Sequence, residues 1–102
     1  ADKRDENLTT DDVINAVCSF FKISKADLVG KKKNKEIVEP RQICAYLMTE
    51  LLSIPLVSVG QALGGRDHTT VIHARDKIAE LVKDSPKTAT TVKDVRNLIL
   101  KK

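Results

Sequence analysis

The sequence predicts an all-α domain, a compact helical fold containing a helix-turn-helix, on three observations. Apolar residues recur at three- and four-residue intervals along most of the chain, as they do on one face of a helix. Helix-start signals and Gly or Pro punctuation divide that pattern into short segments. No stretch alternates for long enough to make a strand, and there is no internal repeat. At 102 residues a single core is expected, since a domain of this size buries roughly two thirds of its unfolded surface without metals or disulfides.

Residues 1–7 are polar throughout and read as a linker or flexible end, so the domain is expected to span residues 8–102. The chain does not begin with Met and reads as a piece of a longer one. Thr9 with Asp12 makes an acidic capping box, and Leu8 with Val13 a hydrophobic staple, so a first helix starts here with Ile14, Val17, Cys18 and Phe21 on one face. Ser24 with Asp27, flanked by Ile23 and Leu28, repeats the signal, and Gly30 stops a very short second helix. Lys31, Lys32, Lys33 and Lys35 then form a basic loop around Asn34. Pro40 suits the first turn of a third helix, whose stripe of Ile43, Cys44, Leu47, Met48, Leu51 and Leu52 ends near Ser53 and Pro55. A short helix from Leu56 to Leu63, the pair Gly64-Gly65 and a longer periodic run from about Asp67 to Lys83 make the helix-turn-helix. Ser85-Pro86 opens a last helix, marked by Val92, Val95, Leu98 and Ile99, that packs on the rest.

Lys and Arg number 18 against 14 Asp and Glu, and a pI near 9.2 points to an anionic partner. Only Phe20, Phe21 and Tyr46 are aromatic, too few for the stacking platforms that single-stranded nucleic acid needs, so duplex is the expected form. Cys18 and Cys44 both fall in apolar patterns and read as reduced core residues, in keeping with a reducing cytosol. No run approaches the ~20 apolar residues of a membrane span.

The stretch Gly64-Gly65-Arg66-Asp67-His68-Thr69-Thr70 raises the question of a catalytic or metal site. Five residues turn a helix through about 500°, so His68 and His73 point about 140° apart and do not grip one ion. Gly30-Lys31 would end a phosphate-binding loop only with Gly at position 25 and Ser or Thr at 32, and both positions hold lysine. Neither a cofactor nor a metal is expected, and no enzymatic activity.

Recognition of duplex DNA fits better. On a helical wheel Val71, Ala74, Ile78, Leu81 and Val82 form a core face, and Thr69, His73, Asp76 and Glu80 lie opposite. Base edges are read mainly from the first turn of the second helix, which here holds Asp67, His68, Thr69 and Thr70. Asp67 has one good use in a groove, accepting from cytosine N4, and a threonine methyl meets a thymine methyl. Arg66, just ahead, is expected to serve binding and to be dispensable for stability. Plainer roles stand beside these. Asp67 and Thr70 suit helix capping, the lysines suit a solvated loop, and His73 is as much a bystander as a contact. A helical protein-interaction module is the rival reading.

The run from Gly64 through Val71, with His73 and Ala74 after it, the basic loop and "EPRQICAYLMTELL" resemble the C-terminal DNA-binding domain of the DnaA family of bacterial replication initiators, over residues 8 to about 100. The resemblance implies a monomeric domain that binds asymmetric DnaA-box repeats at a replication origin, in the cytoplasm at the nucleoid. A full-length protein would add an ATP-binding domain. It also implies that Arg66, Asp67, His68, Thr69 and Thr70 enter the major groove and meet its flanking phosphates. Leu56 and Val57 would approach thymine methyls, and Arg41, Gln42 and Lys77 the DNA backbone. Residues 31–35 would enter the adjacent minor groove. Lys33 stands where the family commonly carries the minor-groove arginine, Thr49 where relatives carry a basic residue, and Val57 where proline is familiar.

Overall fold

The computed structural model describes residues 8–100; the expected linker over residues 1–7 and the last two residues lie outside them. Six helices follow one another: α1 (Thr10–Phe21), α2 (Lys25–Val29), α3 (Lys35–Leu51), α4 (Leu56–Ala62), α5 (His68–Asp84) and α6 (Pro86–Leu100). No strand occurs among the described residues, and none of these helices is long and apolar enough to cross a membrane.

Local chemistry explains the first two helices. The Thr9 hydroxyl accepts from the Asp12 amide at 3.2 Å, and the Thr9 amide donates to the Asp12 carboxylate at 3.0 Å, closing the capping box that the sequence announces. Lys22 ends α1 in the left-handed conformation at φ 58° and turns the chain into α2. There the Ser24 hydroxyl accepts from the Asp27 amide at 3.0 Å. The expected second box has only this arm, because the Asp27 carboxylate meets Lys32 Nζ at 3.1 Å instead.

The third helix differs from expectation at its start. It begins at Lys35, with both the Ile37 and Val38 amides donating to the Asn34 carbonyl at 2.8 Å, so Pro40 lies inside it. Lys35 is therefore helical rather than part of the loop. Proline at this depth removes the donor for the Glu36 carbonyl, and Glu36 is exposed.

Helix α3 is the central strut and packs on all five other helices, most extensively on α5. Fully buried side chains come from every helix, among them Val17, Leu28, Leu47, Val59, Ile78 and Val95. Each contributes about 1.5–3 kcal/mol relative to exposure. Both cysteines are free thiols; Cys44 is fully buried, and burial pushes its thiol well above the usual range.

Candidate nucleic-acid interface

The helix-turn-helix is closed by main chain. The Gly60 carbonyl accepts from both the Gly65 and Arg66 amides, at 3.0 and 2.8 Å, and a Cβ on Gly60 would overlap the Arg66 carbonyl oxygen. Gly64 and Gly65 carry φ of 92° and 83°, values that favour glycine. A Cβ on Gly64 would run into the Val29 carbonyl, whereas one on Gly65 would meet nothing. The turn therefore needs glycine twice, for different reasons.

Helix α5 follows with the division of faces read from the sequence. Val71 and Ile78 are buried, and Ala74, Leu81 and Val82 pack against the core. Asp67, His68, Thr69, Thr70 and His73 are all exposed. Asp67 occupies the N-cap position in backbone terms, its carbonyl accepting from the Thr70 and Val71 amides at 3.0 and 3.2 Å. Its side chain makes no cap hydrogen bond. The carboxylate is 68% exposed and lies 3.4 Å from His68 Nδ1, too open a pair to matter much to stability. The first turn thus presents an acid, a histidine and two threonines at the positive end of the helix dipole.

The basic segment lies beside this turn. Lys31, Lys32, Lys33 and Lys35 are all exposed. Lys31 and Lys33 share a cleft of about 630 Å³ with Gly64, Gly65, Arg66 and Arg41. Lys33 and Lys35 also line a groove of about 710 Å³ with Gln42, Lys77 and Lys87, over a floor that includes Phe21 and Leu81. A smaller cleft of about 270 Å³ joins Gln42, Thr70, His73 and Lys77. The start of α5, the glycine turn, the lysines and the α3–α5 seam therefore form one cationic face. Val57 is 55% exposed and Leu56 half-buried. Lys87 had no signal in the sequence, because only the packing of α6 brings its first turn to this groove. His73 lines the small cleft instead of standing apart from the face.

Two arginines differ from expectation. Arg41 is only 9% exposed. Its Nε donates to the Leu28 carbonyl at 2.6 Å and its Nη2 to the Asp27 carbonyl at 3.1 Å. Arg66 donates through Nη1 to the carbonyls of Val29, at 3.2 Å, and Leu63, and through Nη2 to that of Gly30 at 2.5 Å. A helix leaves its last carbonyls without internal partners, and these two side chains supply donors to four consecutive ones at the end of α2. Arg66 is thus built into the fold, which corrects the expectation that stability does not need it. Arg41, expected at the DNA backbone, spends its Nε and part of its Nη2 on these carbonyls while still lining the cleft shared with Lys31 and Lys33. Burial and the neighbouring Arg66 charge pull the Arg41 guanidinium down from its ordinary value, and burial does the same to Arg66. Both stay charged at neutral pH. Thr49 donates its hydroxyl to the Tyr46 carbonyl at 2.8 Å.

A family model described as "Bacterial dnaA protein helix-turn-helix" matches residues 10–78. The chain is similar to the chromosomal replication initiator protein DnaA of Thermomicrobium roseum, at 48% identity over 91 residues, covering 89% of the chain and 20% of that protein. It is similar also to the proteins of that name from Lacticaseibacillus casei, 42% identical over 98 residues, and Lactiplantibacillus plantarum, 48% identical over 79. These alignments take in 96% of the chain and 22% of the first protein, and 78% of the chain and 17% of the second. The chain spans about a fifth of the length of the curated relatives it matches.

Proposed function

The chain belongs to the bacterial DnaA helix-turn-helix family, and from that membership we propose that it reads duplex DNA at DnaA-box repeats, as the DNA-binding part of a replication initiator. The observation that carries the reading is the first turn of α5, whose acid, histidine and threonines are exposed, the acid making no side-chain cap hydrogen bond, while the helix keeps a separate core face.

In this reading the first turn of α5 enters the major groove. Asp67 accepts from a cytosine N4, and Thr69 and Thr70 offer methyl groups to thymine. His68 lies beside them for a base edge or a phosphate, and Val57 with Leu56 approaches thymine methyls from the start of α4. Gln42 and Lys77, facing one cleft, hold phosphates that set register without reading sequence. Lys31, Lys32, Lys33 and Lys35 lie toward the neighbouring minor groove, whose negative potential rises where it is narrow and A·T-rich. One domain occupies one asymmetric site as a monomer, and the work is done at the nucleoid. ATP binding belongs to the rest of a longer initiator.

Titration of labelled duplexes tests this. Binding should favour a box-containing duplex over scrambled DNA and weaken steeply as salt rises, because bound phosphates release counterions. Equal affinity for both duplexes would reject sequence reading. A stable dimer in sedimentation without DNA would reject the monomeric arrangement.

A further inference from the structure

We infer that Arg41 and Arg66 are positioning residues that register the basic loop against the recognition helix, and that this registration serves DNA binding through the loop. The inference rests on the duplex-DNA reading above for its functional half, and on hydrogen bonds alone for its structural half.

Helix α2 has five residues, far too short to hold itself in water. Its end nonetheless decides where residues 31–34 leave the domain, because Gly30 follows it directly. The carbonyls of Asp27 and Leu28 point at Arg41 on α3, and those of Val29 and Gly30 at Arg66 in the α4–α5 turn. Arg66 also donates to the Leu63 carbonyl at the end of α4. One guanidinium thus bridges the base of the loop and the turn that launches α5. The link is reinforced sterically, since Gly64 lies so close to the Val29 carbonyl that no side chain fits between. Cations at the carbonyl end of a helix are further favoured by its dipole.

Three of the five Arg66 donors are consumed in this work. Arg41 is mostly buried, and Arg66 keeps only Nε and one hydrogen of Nη2 for any other partner. What the clamp supplies to binding is order. Lys31 and Lys33 emerge beside Gly64, Gly65 and Arg66, so minor-groove and major-groove elements start from one fixed point. Without the clamp, residues 31–34 must be ordered as they dock, which lowers affinity.

A phosphate contact and a clamp respond differently to lysine. Lysine replaces arginine tolerably as a point charge on phosphate, and does not reproduce a planar fork that spans several carbonyls. Arg66→Lys is therefore the informative variant, in the folded domain, with two readouts. Amide hydrogen exchange without DNA should accelerate at least about tenfold at Leu28 and Gly30 relative to the Val95 amide in α6, reporting local opening rather than general destabilisation. Unchanged relative exchange would overturn the clamp. A double-mutant cycle with Lys33→Ala then measures binding. If Arg66 acts through the loop, the fold-loss caused by Lys33→Ala should shrink in the Arg66→Lys background. A fold-loss the same in both backgrounds, within the factor of about two to which independent sites add, would overturn the link to DNA. Failure of the parent domain to prefer duplex DNA would reject the DNA reading and the loop's role with it, while the exchange result still decides the clamp. Arg41→Lys gives the same comparison from the α3 side, and is expected to speed exchange at Leu28 with little change at α6.

Discussion

Replacing Asp67 with alanine separates reading from folding. A working N-cap side chain is worth about 0.5–2 kcal/mol, typically ~1. The Asp67 carboxylate makes no such bond and is 68% exposed, so its contribution to stability reduces to an exposed charge at a helix start, about 0.3–1 kcal/mol at low salt. For a domain of this size that is a fall in Tm of no more than about 8 °C, shrinking as salt screens the charge. Loss of a base contact should cost about 1–3 kcal/mol on the preferred duplex, roughly 5- to 150-fold in Kd. The assay pairs thermal melting, followed by circular dichroism, with titration of duplexes carrying each single base-pair substitution. The variant should melt near the parent and lose discrimination at one C·G pair. An equal loss of affinity on preferred and scrambled duplexes would refute base reading by Asp67. A salt-independent stability loss above ~1 kcal/mol would show the side chain to be a cap after all.

Three further outcomes are expected. Gly65→Ala should cost about 1–2 kcal/mol for its positive φ alone, and Gly64→Ala distinctly more because its Cβ meets the Val29 carbonyl; equal melting temperatures would dismiss the close approach. Arg66→Ala should remove about 2–4 kcal/mol by stripping charged donors from three carbonyls, lowering Tm by roughly 8 °C or more, and a shift within ~2 °C would restore the view of Arg66 as dispensable to the fold. Lys33→Ala should weaken binding and flatten the slope of log K against log salt by about 0.9 if one phosphate is lost, while Lys33→Arg should bind at least as tightly because guanidinium sheds water more readily; no change in either Lys33→Ala or Lys35→Ala would return these lysines to a solvated loop.

What was legible in the sequence is what neighbours in the chain decide. The Thr9–Asp12 box, the glycine pair and the core face of α5 are local patterns with local causes, and each appears in the fold. The start of α3 was misplaced because Pro40 is a strong local signal for a first turn, while burial of Ile37 and Pro40 against the core draws helix over the preceding residues. The arginines were harder still. Apart from the Leu63 carbonyl three residues before Arg66, their acceptors are main-chain carbonyls 13 to 37 residues away, and a carbonyl is the same atom in every residue, so no side-chain pattern announces the pairing. Lys87 was hidden by distance along the chain, since α6 reaches the groove only once packed.

The contact between Gly60 and the Arg66 carbonyl makes the spacing of α4 and α5 a backbone gauge rather than a side-chain fit. A gauge of that kind is indifferent to what the reading side chains are. Residues 68–70 are then interchangeable in the way of type set in a fixed frame: variants there should keep the parent's melting temperature and change only which base pairs are preferred, whereas the smallest addition at position 60 should shift every reading residue at once.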